Sequence, residues 1–155
     1  FAAGGGGHKI NGQLATDILW QAALAWHKQS GQRCYVILGP NYPGRKQAQG
    51  GVIAIKQLPN SALMHLLQSC QLAVIAGGDM MGQAVTLGVP VVAVPVAKDQ
   101  PPRIAAFARE QLVTASELNS SSILAAIASA EAPKNSEFSN GADLFVNKVS
   151  QWLSD

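Results

Sequence analysis

Charge is scarce in this chain, and that scarcity narrows the possibilities early. Only 13% of the 155 residues are Asp, Glu, Lys or Arg, against 48% hydrophobic, a balance that excludes a disordered segment and suits a sheet covered by helices on both faces. The net charge is +2, with Lys and Arg scattered along the chain, so no basic stripe announces nucleic acid or an anionic membrane surface as partner. No apolar run approaches the ~18 residues that a membrane span needs, because Pro, Gly or a charge interrupts each one. Cysteine is limited to Cys34 and Cys70 without CxxC spacing, the usage expected of reduced, buried thiols in a cytoplasmic protein. His27 and His65 have no partner at ligand spacing, so neither a metal nor a cofactor is expected. The glycine run at Gly4 to Gly7 lacks both G-x-G-x-x-G spacing and a G-K-[ST] ending, which weakens the nicotinamide and Walker-type readings. No Ser-His-Asp or paired-carboxylate arrangement can be read from residue order.

What is present is an alternation of short apolar, β-branched runs with amphipathic stretches. A chain of this length is expected to form one domain, 1–155, burying roughly two thirds of the surface its unfolded form exposes. It begins without Met at Phe1, directly against the glycine run, so the first strand is expected to be cut short and a preceding segment to be missing. After Gly4-Gly5-Gly6-Gly7-His8-Lys9, Asn11 is expected to cap a helix over 13–27 with Leu14, Ile18, Ala22 and Ala25 inward and Asp17, Gln21 and Lys28 outward. Strands are expected at 34–38 and 52–55, and Arg45-Lys46 between them as a solvated loop. A helix over 62–69 capped by Asn60 or Ser61 follows, then a strand at 72–76. Later come a helix at 80–87 ended by Gly88, a strand at 91–94 and a helix over 103–112 opened by Pro101-Pro102. An edge strand at 113–115, helices at 120–130 and 142–153 (Phe145, Val149 and Trp152 on one face), and a loop over 132–140 complete the chain. This order describes a single Rossmann-like α/β domain of five or six parallel strands.

Residues 72–100 carry the chemistry. Strand, glycine turn, helix and strand follow one another there, so Gly77-Gly78-Asp79 and Lys98-Asp99-Gln100 should face one crevice beyond the carboxyl ends of parallel strands. Gly77 and Gly78 are expected to present backbone donors to an anion at the start of the helix, and Asp79 to cap it.

This stretch resembles the C-terminal, nucleotide-sugar-binding domain of GT-B glycosyltransferases, a family that includes the lipid II-forming GlcNAc transferase and the UDP-sugar hydrolase of pseudaminic acid synthesis. The register holds without a gap through Gly77, Met80 in the place of a Ser, Gln83 in the place of a Glu, Gly88-Val89-Pro90, Pro95 and Asp99-Gln100. Gln57-Leu58-Pro59 looks like the family's base-closing loop and Gly4 to Lys9 like its first glycine loop, so the likeness covers roughly 1–112. The resemblance implies a metal-independent hexosyltransferase, or a hydrolase or non-catalytic module with the same pocket, that binds a nucleotide-sugar donor, most naturally a UDP-sugar. It implies donor contacts at Gly5, Gly6, Gly7, His8, Leu58, Gly77, Gly78, Asp79, Met80, Gln83, Asp99 and Gln100. It also implies an acceptor domain or subunit outside this chain, without which turnover should be poor. Two departures bear on the donor site: Ile75 stands where many members carry a phosphate-binding His, and Met80 replaces a phosphate-binding Ser.

Overall fold

Four apolar runs become parallel strands because every other residue of each can be buried on opposite faces of one sheet. The computed structural model describes residues 1–133, 146 and 149–151. Its strands are β1 (Lys9–Ile10), β2 (Gln13–Leu14), β3 (Cys34–Ile37), β4 (Val52–Ile55), β5 (Ala73–Ala76), β6 (Val91–Val94) and β7 (Thr114–Ala115). Its helices are α1 (Ala15–Ser30), α2 (Asn60–Ser69), α3 (Asp79–Thr86), α4 (Gln100–Arg109) and α5 (Ser120–Ser129).

Residues 1–3 join the parallel pairs into one sheet. Ala2 bridges Ile37 on one side and Ile75 on the other, both in parallel. Ile37 N–H donates to Phe1 O at 2.9 Å, Ala2 N–H to Val74 O at 2.9 Å and Ala76 N–H to Ala2 O at 3.0 Å. The order across the sheet is therefore β4, β3, residues 1–3, β5, β6, β7, with Cys34 opposite Val52, Ala73 opposite Val91 and Val92 opposite Thr114. In chain order this is 3-2-1-4-5-6, the doubly wound arrangement, whose switch point lies between residues 1–3 and β5.

Alternation along the central strands divides the core. Val74, Ala76, Val92 and Val94 pack with Ala3, Leu19 of α1 and Ile123 of α5. Ala73, Ile75, Val91 and Ala93 pack on the opposite face with Leu67 of α2, Met81 of α3 and Ile104 of α4. Fully buried side chains such as Leu19 and Ile75 contribute roughly 1.5–3 kcal/mol each, and β5 and β6 are buried along their whole length.

Some local expectations are corrected. Asn11 does not cap α1: with φ of 50° at Asn11 and 81° at Gly12, the pair forms the two-residue turn of the β1–β2 hairpin, in which Lys9 faces Leu14. Both positions need positive φ, which Asn-Gly tolerates best. Helix α1 runs over Ala15–Ser30 and buries Ala15, Thr16, Leu19, Trp20, Ala22 and Ala23; of the expected stripe only Ala22 is fully buried, because α1 packs on both the sheet and α5 and its buried arc is wide. Helix α2 has Pro59 at its N-cap with no side-chain cap bond, so neither Asn60 nor Ser61 caps it. Helix α4 ends at Arg109, and Gln111 follows with φ of 56°, a left-handed residue that cannot continue the helix to Leu112. Asn119 caps α5, its Oδ1 accepting from Ser122 N–H at 2.8 Å. Val146 and residues 149–151 are helical; Phe145, Trp152 and most of the expected 132–140 loop lie outside the described residues.

Candidate functional site at the carboxyl ends of the strands

Two glycine loops flank the switch point. In the first, Gly6 has φ of 82° and a Cβ placed on it would lie 1.9 Å from Leu38 O; Gly39, at φ 88°, would meet Gly5 C at 2.5 Å. Asn41 N–H donates to Gly5 O at 2.9 Å. The loops after residues 1–3 and after β3 thus interlock backbone to backbone, which only glycine permits. Among the described residues no acceptor takes the N–H groups of Gly4 to His8; Gly6 is buried, while Gly4 and Gly7 are exposed, where an anion could meet their amides. His8 itself is exposed. The hairpin separates the loop from α1 in sequence but returns the helix start to it, since Ala15 N–H donates to His8 O at 2.9 Å.

The second loop is built differently. Gly77 N–H donates to Val94 O at 3.1 Å and Gly78 N–H to Ala76 O at 2.8 Å, so the two glycines do not offer the diphosphate donors expected of them. Gly77 is small for another reason: a Cβ there would lie 2.5 Å from Ile104 Cγ1 and 3.2 Å from Gln100 Cβ. The amides left over are those of Asp79 and Met80, in the first turn of α3, where the helix dipole favours an anion. Gly78, not Asp79, is the N-cap. The Asp79 side chain is fully exposed, with Oδ1 3.8 Å from Arg103 Nη1, and Arg103 also reaches Gly77 O at 3.5 Å.

Gly78, Asp79 and Gln83 line one cavity of about 560 Å³ with Arg103 and Phe107 of α4 and Met64 of α2. Met80 faces away from it, packing half-buried with Leu63 and Leu66 of α2, and Ile75 is 1% exposed in the same core. Leu58 also packs half-buried on that core. Gln100 is 8% exposed, and its Oε1 accepts from Val96 N–H at 2.8 Å; its Nε2 lies toward Gly78. Asp99 is exposed at the N-cap position of α4 without a side-chain cap bond. Arg103 was not singled out from sequence; its signal is the one-turn spacing from Gln100 on α4, which places both on the face toward Gly78.

Charged groups also gather beside the first loop. Tyr42 Oη donates to Asp17 Oδ1 at 2.8 Å, and Lys46 Nζ lies 2.8 Å from the same oxygen. Asp17 is therefore engaged rather than turned to solvent, and Lys46 is half-buried rather than solvated. Burial alone would raise the Asp17 pKa, but the Lys46 and Tyr42 hydrogen bonds outweigh it and hold the carboxyl below its ordinary range. The Asp17 hydrogen bond holds Lys46 above its ordinary value. Burial pushes the Cys34 and Cys70 thiols up, which disfavours the reactive thiolate. Among the described residues no three His, Cys, Asp or Glu side chains gather to hold a metal ion, and no helix is long and apolar enough to cross a membrane.

No family model matches the chain, and no curated protein matches it. A solved structure does: the glycotransferase of kitacinnamycin superposes with a TM-score of 0.62 over 83% of this chain, at 18% sequence identity. The chain spans about a third of that protein's length, 34%. What this likeness and the strand order establish is the fold alone, a Rossmann-like α/β domain that superposes on part of that glycotransferase.

Proposed function

We propose that the chain is the donor-binding half of a GT-B glycosyltransferase, holding a nucleotide diphosphate sugar, a UDP-sugar first among them, for hexosyl transfer to an acceptor presented by another domain or subunit. The observation that carries this reading is a switch point flanked by two loops: that of Gly4 to His8, whose N–H groups have no acceptor among the described residues, and that which opens α3, where Gln83 and the Arg103 guanidinium line one cavity. Gln83, on the exposed face of α3, would meet the ribose with one acceptor and one amide donor. The diphosphate would meet the α3 N-terminus and Arg103, with Gly5, Gly6, Gly7 and His8 closing on it from the other loop. Gln100 would offer only Nε2 to the sugar, beside Asp99, and Leu58 its backbone to the base. Catalysis is then positional and electrostatic: fixed amides and a guanidinium stabilise the departing diphosphate, so the scheme does not depend on a metal. The partial coverage of the glycotransferase neighbour fits an acceptor half lying elsewhere, and the chain alone should bind donor with little turnover.

Isothermal titration of the chain with UDP, GDP, TDP and their sugars tests this. Saturable binding of one diphosphate is expected, and the absence of binding up to millimolar concentrations would sink the reading. One observation favours a non-catalytic binding module instead, since Ile75 is buried in the core and Met80 packs half-buried against it. On that reading Gln83→Glu gains nothing in nucleotide affinity, whereas a working ribose site should gain about tenfold from the stronger acceptor.

A further inference from the structure

Arg45, Lys46 and Lys56 are separated in sequence by loop and strand, yet the fold brings them to one cavity. It has a volume of about 560 Å³, lies at the carboxyl ends of β3 and β4, where Leu38 and Ala54 line it, and shares no lining residue with the cavity along α3. Three of its eight lining residues are cations and none is an acid. Two ammonium groups flank one ring: Lys46 Nζ lies 6.0 Å and Lys56 Nζ 5.7 Å from the centre of Tyr42. Lys56 also donates to Tyr42 O. Gathering like charges is unfavourable unless counter-charge is supplied. The carboxylate of Asp17 answers one of the three, through its 2.8 Å contact with Lys46. Among the described residues, Arg45 is exposed and makes no ion pair, and Lys56 has only a carbonyl and a ring. The local balance is thus close to two positive charges facing open space.

We propose that this cavity is a second, anion-binding site that takes a phosphate dianion, with Arg45 and Lys56 as its contacts and the Asp17–Tyr42–Lys46 cluster as its rigid wall. The bidentate geometry and permanent charge of Arg suit phosphate, and Arg45, exposed, lines the cavity beside Pro43-Gly44. Tyr42 is seated by the loop whose Asn41 bonds the first glycine loop, so the site lies next to the donor crevice. The phosphate belongs either to a compound bound alongside the donor, such as a phosphorylated acceptor, or to the donor itself reaching across Gly5.

Amide spectra of the ¹⁵N-labelled chain, titrated with inorganic phosphate and separately with UDP, test the site. Phosphate is expected to shift the amides of Gly44, Arg45, Lys46 and Lys56 saturably, and about tenfold more weakly in Arg45→Glu, an exposed change that should leave the remaining spectrum in place. Lys56→Gln provides an independent second loss. If phosphate and UDP bind independently, the phosphate comes from a separate compound; if they compete for these amides, it is the donor's own. Unsaturable drift at these amides, or saturable shifts of the same midpoint in both variants, overturns the proposal. Because UDP binding at Gly78 and Gln83 is read from different amides in the same spectra, failure of either site is visible without the other.

Discussion

The two glycine loops that flank the switch point lie at the same end of the same sheet and use the same residue for opposite reasons. In the loop after residues 1–3, glycine lets one backbone lie on another, and the N–H groups of Gly4 to His8 have no acceptor among the described residues. In the loop after β5, glycine makes room for the side chains of Ile104 and Gln100, and both N–H groups are taken by strand carbonyls. A glycine pair before a helix therefore reports a close approach without naming what approaches. Where side chains fill the space, the proposed donor contacts fall to side chains, here Gln83, Arg103 and the amide of Gln100. Where backbone fills it, the amides themselves remain available.

Alanine at the two loops gives the largest contrast. Gly6→Ala forces a Cβ to 1.9 Å from a carbonyl oxygen at φ of 82°, and neither obstacle can move aside, so a loss of at least about 3 kcal/mol is expected. Gly77→Ala meets side-chain atoms instead, Ile104 Cγ1 at 2.5 Å and Cδ1 at 2.7 Å, and overpacking of that kind costs roughly 1–3 kcal/mol. Urea unfolding of both variants decides it: equal losses would erase the distinction between backbone and side-chain packing. Gln100→Leu sharpens the second loop, since it leaves Val96 N–H buried without its 2.8 Å acceptor and should cost about 1–3 kcal/mol. Arg103→Ala separates binding from stability. Its side chain is 45% exposed, so unfolding should move by no more than about 0.5 kcal/mol, while UDP affinity drops about tenfold. Unchanged affinity would show that the α3 side of the crevice does without this cation.

The strands were the most legible part of the sequence, because a parallel strand buried on both faces reads as an unbroken apolar run, as at Ala73–Ala76 and Val91–Val94. Residues that act through local neighbours were partly legible: Asn11-Gly12 is a hairpin signal that the glycine run beside it obscured. The phase of α1 was not, since it depends on α5 more than 90 positions along the chain. Nor was the engagement of the Gly77 and Gly78 amides, which depends on strand carbonyls at Ala76 and Val94. Arg45, Lys46 and Lys56 look scattered in sequence because ten positions and a whole strand separate the first from the last. Among the expected donor contacts, Gly78, Asp79 and Gln83 meet in one cavity because they lie within two turns of one helix. Met80 stands between them and turns away because helical spacing places it on the face toward α2.

Asp17 offers the finest test of the first loop's surroundings. Its carboxyl is held below the ordinary 3.8 in the folded chain, so its contribution to stability is complete above pH 3.8, declines as pH falls toward the folded value and vanishes below it. Lys46, held above 10.5, contributes in the opposite sense, its share being complete below pH 10.5 and lost as pH rises through the folded value. With the Asp17 and Lys46 side chains 29% and 26% exposed, the ion pair is worth less than about 1 kcal/mol. Asp17→Asn keeps an acceptor for Tyr42 but removes the charge, so the variant should be slightly less stable at neutral pH and match the parent chain once pH falls below the folded Asp17 value. Chemical denaturation from pH 2 to 7 measures the gap. A constant gap across that range would mean that Asp17 is not charged against Lys46, and the cations around Tyr42 would then lack their one counter-charge. A gap that closes on acidification leaves Arg45 and Lys56 as the charges still to be answered.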